Sequence, residues 1–132
     1  MSKLKTIVLF LLTICLNSCF SSDSKSEKII SPSGEYYFST FVNRTDKSKK
    51  NYADVNVNLY DRNGKMLSQL YTKAGDFNKW AINWNSENDT LILNSSDIGN
   101  SAWKISKNSF VEIKLDKQLN LEAEKIFKEK YK

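Results

Sequence analysis

The chain is expected to fold as a mainly β domain of the α+β class, an antiparallel meander of about six or seven strands closed by one C-terminal amphipathic helix. Three observations carry that expectation. Short segments between residues 35 and 115 alternate apolar and polar residues with period two or are rich in apolar and aromatic residues, as in 36–42, 54–60, 79–84 and 90–94. Turn chemistry interrupts the alternation at Ser31-Pro32-Ser33-Gly34, Asp61-Arg62-Asn63-Gly64, Asn85-Ser86-Glu87-Asn88-Asp89 and Asp97-Ile98-Gly99-Asn100. From about Lys117 the apolar residues change to helical spacing.

Taken in order, residues 35–42 place Tyr36, Phe38, Thr40 and Val42 on one face and Tyr37, Ser39 and Phe41 on the other. Both faces look partly covered, as in a central strand. Residues 43–51 are polar and read as an exposed loop. Residues 54–60 alternate most cleanly: Val55, Val57 and Leu59 point one way, Asp54, Asn56 and Asn58 the other. Asn63-Gly64 suits the positive φ values of a primed hairpin turn, and residues 65–72 form the return strand. After a loop with Gly75 and Asp76, residues 79–84 align Trp80, Ile82 and Trp84 on one face. Residues 90–94 form a buried strand, residues 102–105 a short one around Trp103, and Phe110, Ile113 and Leu115 mark a last one.

Leu119, Ala123, Ile126, Phe127 and Tyr131 fall on one face of a helix over about residues 117–131, with Asp116 as N-cap. Lys128, Lys130 and Lys132 suit the negative end of its dipole. That stripe is expected to pack on a sheet face; the alternative is contact with a partner or a lipid surface. The turn at residues 31–34, with Leu59-Tyr60-Asp61 and Gly64-Lys65 beyond it, resembles the blade openings of TolB-like β-propellers. A propeller needs at least four blades of roughly 40 residues, so the resemblance implies blade-like meanders without closure.

Composition narrows the chemistry. The net charge of +5 falls to +3 if residues 1–18, which contain Lys3 and Lys5, are removed. Lysines are interspersed with Asp and Glu, where a nucleic-acid reader would concentrate them on one face, so no nucleic acid is expected as partner. There is no histidine, which removes the commonest general base and metal ligand. The Asp61-Arg62-Asn63-Gly64 turn lacks the later ligands of a calcium loop, and no metal or cofactor is expected. The aspartates sit in turns or on polar strand faces, where backbone hydrogen bonding explains them; no catalytic pair stands out, and the protein is not expected to be an enzyme.

The beginning of the chain reads as an address. Lys3 and Lys5 precede an apolar run, residues 7–16, of signal-peptide length and too short to span a bilayer. The run ends in Leu16-Asn17-Ser18-Cys19, which resembles the lipobox of bacterial lipoproteins. The resemblance implies a signal peptide over residues 1–18, a diacylglyceryl group on the Cys19 thiol, and Cys19 as mature N-terminus. The other cysteine, Cys15, would leave with the peptide, so the mature chain could form no internal disulfide. Residues 20–31 then read as a flexible tether, rich in Ser and charge, reaching roughly 20 Å from the membrane. In that family an Asp after the Cys favours inner-membrane retention. Phe20 stands here, so an outer-membrane location is expected over an inner one where the cell has both.

Three indoles could stack a sugar or peptide. Trp80 and Trp84 are expected in the core because they share a face with Ile82, so a ligand face is sought at Trp103, Asp97, Asp76, Phe77 and Lys79. The expected function is a membrane-tethered protein-binding module, inhibitor- or immunity-like, with a protein partner in the envelope. The alternatives are an accessory or structural lipoprotein and a glycan- or small-ligand-binding one.

Overall fold

A computed structural model describes residues 27–132. The expected signal peptide, Cys19 and most of the tether lie outside the described residues. The chain forms strands β1 (Ile29–Ile30), β2 (Tyr36–Val42), β3 (Asp54–Asp61), β4 (Met66–Gly75), β5 (Trp80–Trp84), β6 (Thr90–Ser95), β7 (Gly99–Ser106) and β8 (Ser109–Ile113), then helix α1 (Lys117–Lys130). The strands make two four-stranded antiparallel sheets in the orders β1-β2-β3-β4 and β5-β6-β7-β8. The expectation of one meander of six or seven strands is corrected: the pairing breaks between β4 and β5, and the second meander folds over the first.

Alternation explains why two layers form. Phe38, Val57, Leu59 and Ala74 of the first sheet meet Ile82, Trp84, Leu91, Leu93 and Trp103 of the second in one continuous core. The rings of Phe38 and Trp84 meet edge to face, with centroids 5.5 Å apart. The second sheet is apolar on both sides, as the unbroken Leu91-Ile92-Leu93 run of β6 requires. Its outer face presents Ala81, Ile92 and Ala102, on which α1 lays Ala123 and Ile126. The small alanines let the helix approach closely. The layers are therefore sheet, sheet, helix.

The helix begins where expected, with the Asp116 carboxylate accepting the Leu119 N–H at 2.8 Å. Asn94 and Asn100 donate from the second sheet to the Ala123 carbonyl and the Asn120 side chain, fixing the helix along it.

Three local features depart from the sequence reading. Ile29 and Ile30, read as tether, pair with Phe38 and Tyr37 as β1. The β3–β4 turn is a type I turn closed by Gly64 at φ 92°, with Asp61 accepting the N–H groups of Asn63 and Lys65; Asn63 is not at positive φ. A primed turn instead joins β7 to β8, where Lys107 and Asn108 hold φ values of 50° and 61°.

Candidate functional site

Four of the residues chosen from sequence gather at one end of the sandwich. Asp76 accepts the Trp80 indole N–H at 3.1 Å and pairs with Arg44. The Asp97 carboxylate accepts the Gly75 N–H at 2.9 Å and the Ser95 hydroxyl. It thereby ties the end of β4, in the first sheet, to the β6–β7 turn in the second. Phe77 projects from the β4–β5 loop with 87% of its surface exposed, and the Lys79 ammonium lies 5.3 Å from the Tyr131 ring. Trp103 is elsewhere. It lies in the inter-sheet core with 6% exposed, between Leu91 and Glu112 in its sheet and four residues along β7 from Gly99.

The carboxylates at this end are occupied by the fold. The Ser95 hydroxyl and the Gly75 N–H hold Asp97 below the usual carboxylate range. Partial burial, with the nearby Asp97 charge second, raises the pKa of Asp54. The two have opposite consequences. Asp54 binds its proton more tightly folded than unfolded, so its contribution to stability is present below its unfolded pKa and is lost as pH rises through the folded one. The contribution of Asp97 is present above its unfolded pKa and is lost as pH falls through the folded one. Asp54→Asn is therefore expected to stabilise the protein at neutral pH, with the gain fading on acidification to about pH 3, below the unfolded carboxylate pKa. Urea midpoints of the two proteins at both pH values check this. Equal midpoints at neutral pH would contradict it. No group of three or more His, Cys, Asp or Glu among the described residues could hold a metal ion.

The outer face of the first sheet has a different character. Strand register places Tyr37, Tyr60 and Met66 in one cross-strand row, Ser39, Asn58 and Gln69 in the next, and Phe41, Asn56 and Tyr71 in a third. Successive rows are two residues apart, about 7 Å. Tyr37 and Tyr60 stack with centroids 4.8 Å apart and 11° between planes, and Lys28 lies 4.9 Å from the Tyr37 ring. Gln69 donates to Asn58 at 3.0 Å. Tyr71 and Met66 stand about half exposed.

Asn56 is fully buried on this face; its amide donates to the Asp54 carbonyl, while its side-chain oxygen has no partner. An orphaned buried acceptor costs about 1–3 kcal/mol.

No family model, curated protein or solved structure matches this chain. Sequence reading named the polar side of β3 without seeing that aromatic residues of β2 and β4 flank it. The signal available was that Tyr37, Tyr60 and Tyr71 fall on one face once the three strands are taken as antiparallel neighbours.

A cleft of about 460 Å³ is lined by Glu27, Ile29, Trp80, Ile82, Ile126 and Lys130 among others. Its wall includes the free edge of β5. The Asn85–Thr90 and Ser96–Lys79 hydrogen bonds set the ladder so that Trp80, Ile82 and Trp84 turn their backbone groups to this edge. Tyr131 and Lys130 cap the Trp80 backbone, and the Asn83 side chain accepts the Trp84 N–H. The C-terminal residues thus blunt an edge that could otherwise pair with another chain.

Proposed function

We propose that the protein is a lipid-anchored component of the bacterial cell envelope that binds a protein partner through the open face of its first sheet. The anchor is Cys19, within Leu16-Asn17-Ser18-Cys19, and the preferred location is the outer membrane. No helix among the described residues is long and apolar enough to cross a membrane, so a lipid on Cys19 is the attachment this reading requires.

One observation supports the binding surface above the others. The two sheets have unequal outer faces: α1 covers that of the second, whereas that of the first carries Tyr37, Phe41, Tyr60, Met66 and Tyr71, of which Met66 and Tyr71 stand about half exposed. Tyrosine and methionine are among the residues enriched at protein interfaces, and tyrosine adds contact area at small entropic cost. A protein partner is favoured over a glycan because a sugar needs an open ring face. Here Tyr37 is stacked on Tyr60, and Lys28 lies against its ring.

The test is cross-linking in intact cells with the full-length chain carrying a photoreactive residue at Gln69. One protein captured in stoichiometric amount is expected, with capture reduced at least tenfold by Tyr60→Ser combined with Tyr71→Ser and unchanged by Tyr131→Ser. Undiminished capture by the double variant, its fold verified by circular dichroism, would contradict the assignment of this face. So would competition by envelope oligosaccharide.

A further inference from the structure

The Phe77 end of the sandwich has features the binding face does not explain. We infer that this end rests on the surface of the phospholipid bilayer that holds the anchor, with Phe77 inserted at the level of the headgroups. The inference builds on the proposed acylation of Cys19.

Phe77 is the most exposed large apolar side chain among the described residues. Its loop is braced. The Asp76 N–H donates to the Ala53 carbonyl at 2.9 Å and the Asn78 N–H to the Gly75 carbonyl at 3.3 Å, while the Asp76 carboxylate engages Trp80 and Arg44. Phe77 is thus presented by a fixed mount, at no additional ordering cost to the loop on insertion.

Its surroundings are aromatic and basic. The Lys130 ammonium sits 3.4 Å from the Trp80 ring centroid, Lys79 lies beside Tyr131, and the Arg44 side chain is 64% exposed. Rings with an apolar body and a polar rim, accompanied by long basic side chains, suit the boundary between headgroups and acyl chains. The acidic groups at this end are Asp76, which pairs with Arg44, Asp97, which holds the Gly75 N–H and the Ser95 hydroxyl, Asp54 beside it, and Glu27 and Glu129, which line the cleft.

Chain direction supplies the second argument. Glu27, the first described residue, lines the same cleft as Trp80 and Lys130, so the polypeptide leads towards Cys19 from this end. Eight residue steps separate Glu27 from Cys19, a span of at most about 29 Å. An acylated Cys19 therefore keeps Phe77 close to the bilayer, and tethering raises the local concentration for a contact that is weak but measurable in the free domain. The open tyrosine face of the first sheet is left available to the partner.

The test uses residues 19–132 with Cys19→Ser, so that no acyl group contributes, and circular dichroism verifies the fold. The probe is sedimentation with vesicles of phosphatidylethanolamine and phosphatidylglycerol in 3:1 ratio at millimolar lipid. Measurable partitioning is expected, reduced at least fivefold by Phe77→Ser, and reduced by Lys79→Glu on the same vesicles but not on phosphatidylcholine. With Phe77→Trp, brominated lipid is expected to quench the emission added by the new indole. Partitioning indifferent to Phe77, or no partitioning at all, would overturn the inference. Loss of partner capture by Phe77→Ser with vesicle binding unchanged would also overturn it, by assigning this end to the protein partner. Failure of the anchor reading is distinguishable, because it appears as an unmodified Cys19 in the native protein whatever the vesicles show.

Discussion

Trp84→Ala is expected to destabilise the domain by about 3–5 kcal/mol, the range for removing a buried aromatic side chain. A domain of this size has a total stability of roughly 5–15 kcal/mol, so the variant should be marginal or partly unfolded at 37 °C. Three connections converge on this residue. Its ring packs edge to face against Phe38 across the inter-sheet core, and 5% of its surface is exposed. Its indole N–H donates to the Ile29 carbonyl at 2.9 Å, holding the two-residue strand β1 against the second sheet. It also ends the edge strand β5. Trp84→Phe separates the terms, because it keeps most of the apolar contact and loses only the indole hydrogen bond. Its cost is expected near 1–2 kcal/mol. Denaturant midpoints with an unchanged slope measure both. A loss below about 1 kcal/mol for the alanine variant would show that the sheets are not joined through this ring.

Cys19→Ser is expected to have the largest effect on the protein's place in the cell. Each buried acyl CH₂ contributes about 0.8 kcal/mol, and two chains together give stable attachment where one is marginal and reversible. Without the thiol no acyl group can be added, and in the lipobox family the acylated cysteine is also the processing signal. On the proposed anchor, incorporation of labelled fatty acid should therefore vanish, and the protein should leave the membrane fraction. Equal labelling of parent and variant would contradict the assignment of Cys19.

Strands other than β1 were legible because each carries its own signal. Val55-Asn56-Val57-Asn58-Leu59 alternates without interruption, and the Trp80, Ile82 and Trp84 stripe with the Leu91-Ile92-Leu93 run marks a strand pair at the molecule's centre. The change of period after Lys117 placed α1 to within a residue, because Asp116 and the apolar stripe agree. The division into two sheets was not legible. Alternation reports which residues share a face of a strand, and says nothing of whether β5 continues beside β4 or folds over it. That choice rests on contacts distant in sequence, among them the Ser33 N–H and hydroxyl bonding to the Asp89 carboxylate at one end and Gly75 bonding to Asp97 at the other.

The candidate site divides along the same line. Asp76, Phe77 and Lys79 were found together because they are adjacent in the chain, and Asp97 joins them through the fold. Trp103 carries no sequence mark distinguishing an indole in the core from one at a surface. The tyrosine face is assembled from three strands and exists only once their register is known. β1 escaped notice because two residues are too few to show a period, and its neighbours Lys28 and Ser31 match the polar stretch before them.

The reading of this protein as a tethered binding module depends on chemistry at one sulfur atom. Intact-mass analysis of the chain purified from the cells that naturally make it tests that chemistry directly. The account predicts a polypeptide that begins at Cys19 and carries the added mass of a diacylglyceryl group, with or without a further acyl chain on the amine. A chain that retains Met1, or one that begins at Cys19 with a free thiol, would contradict it.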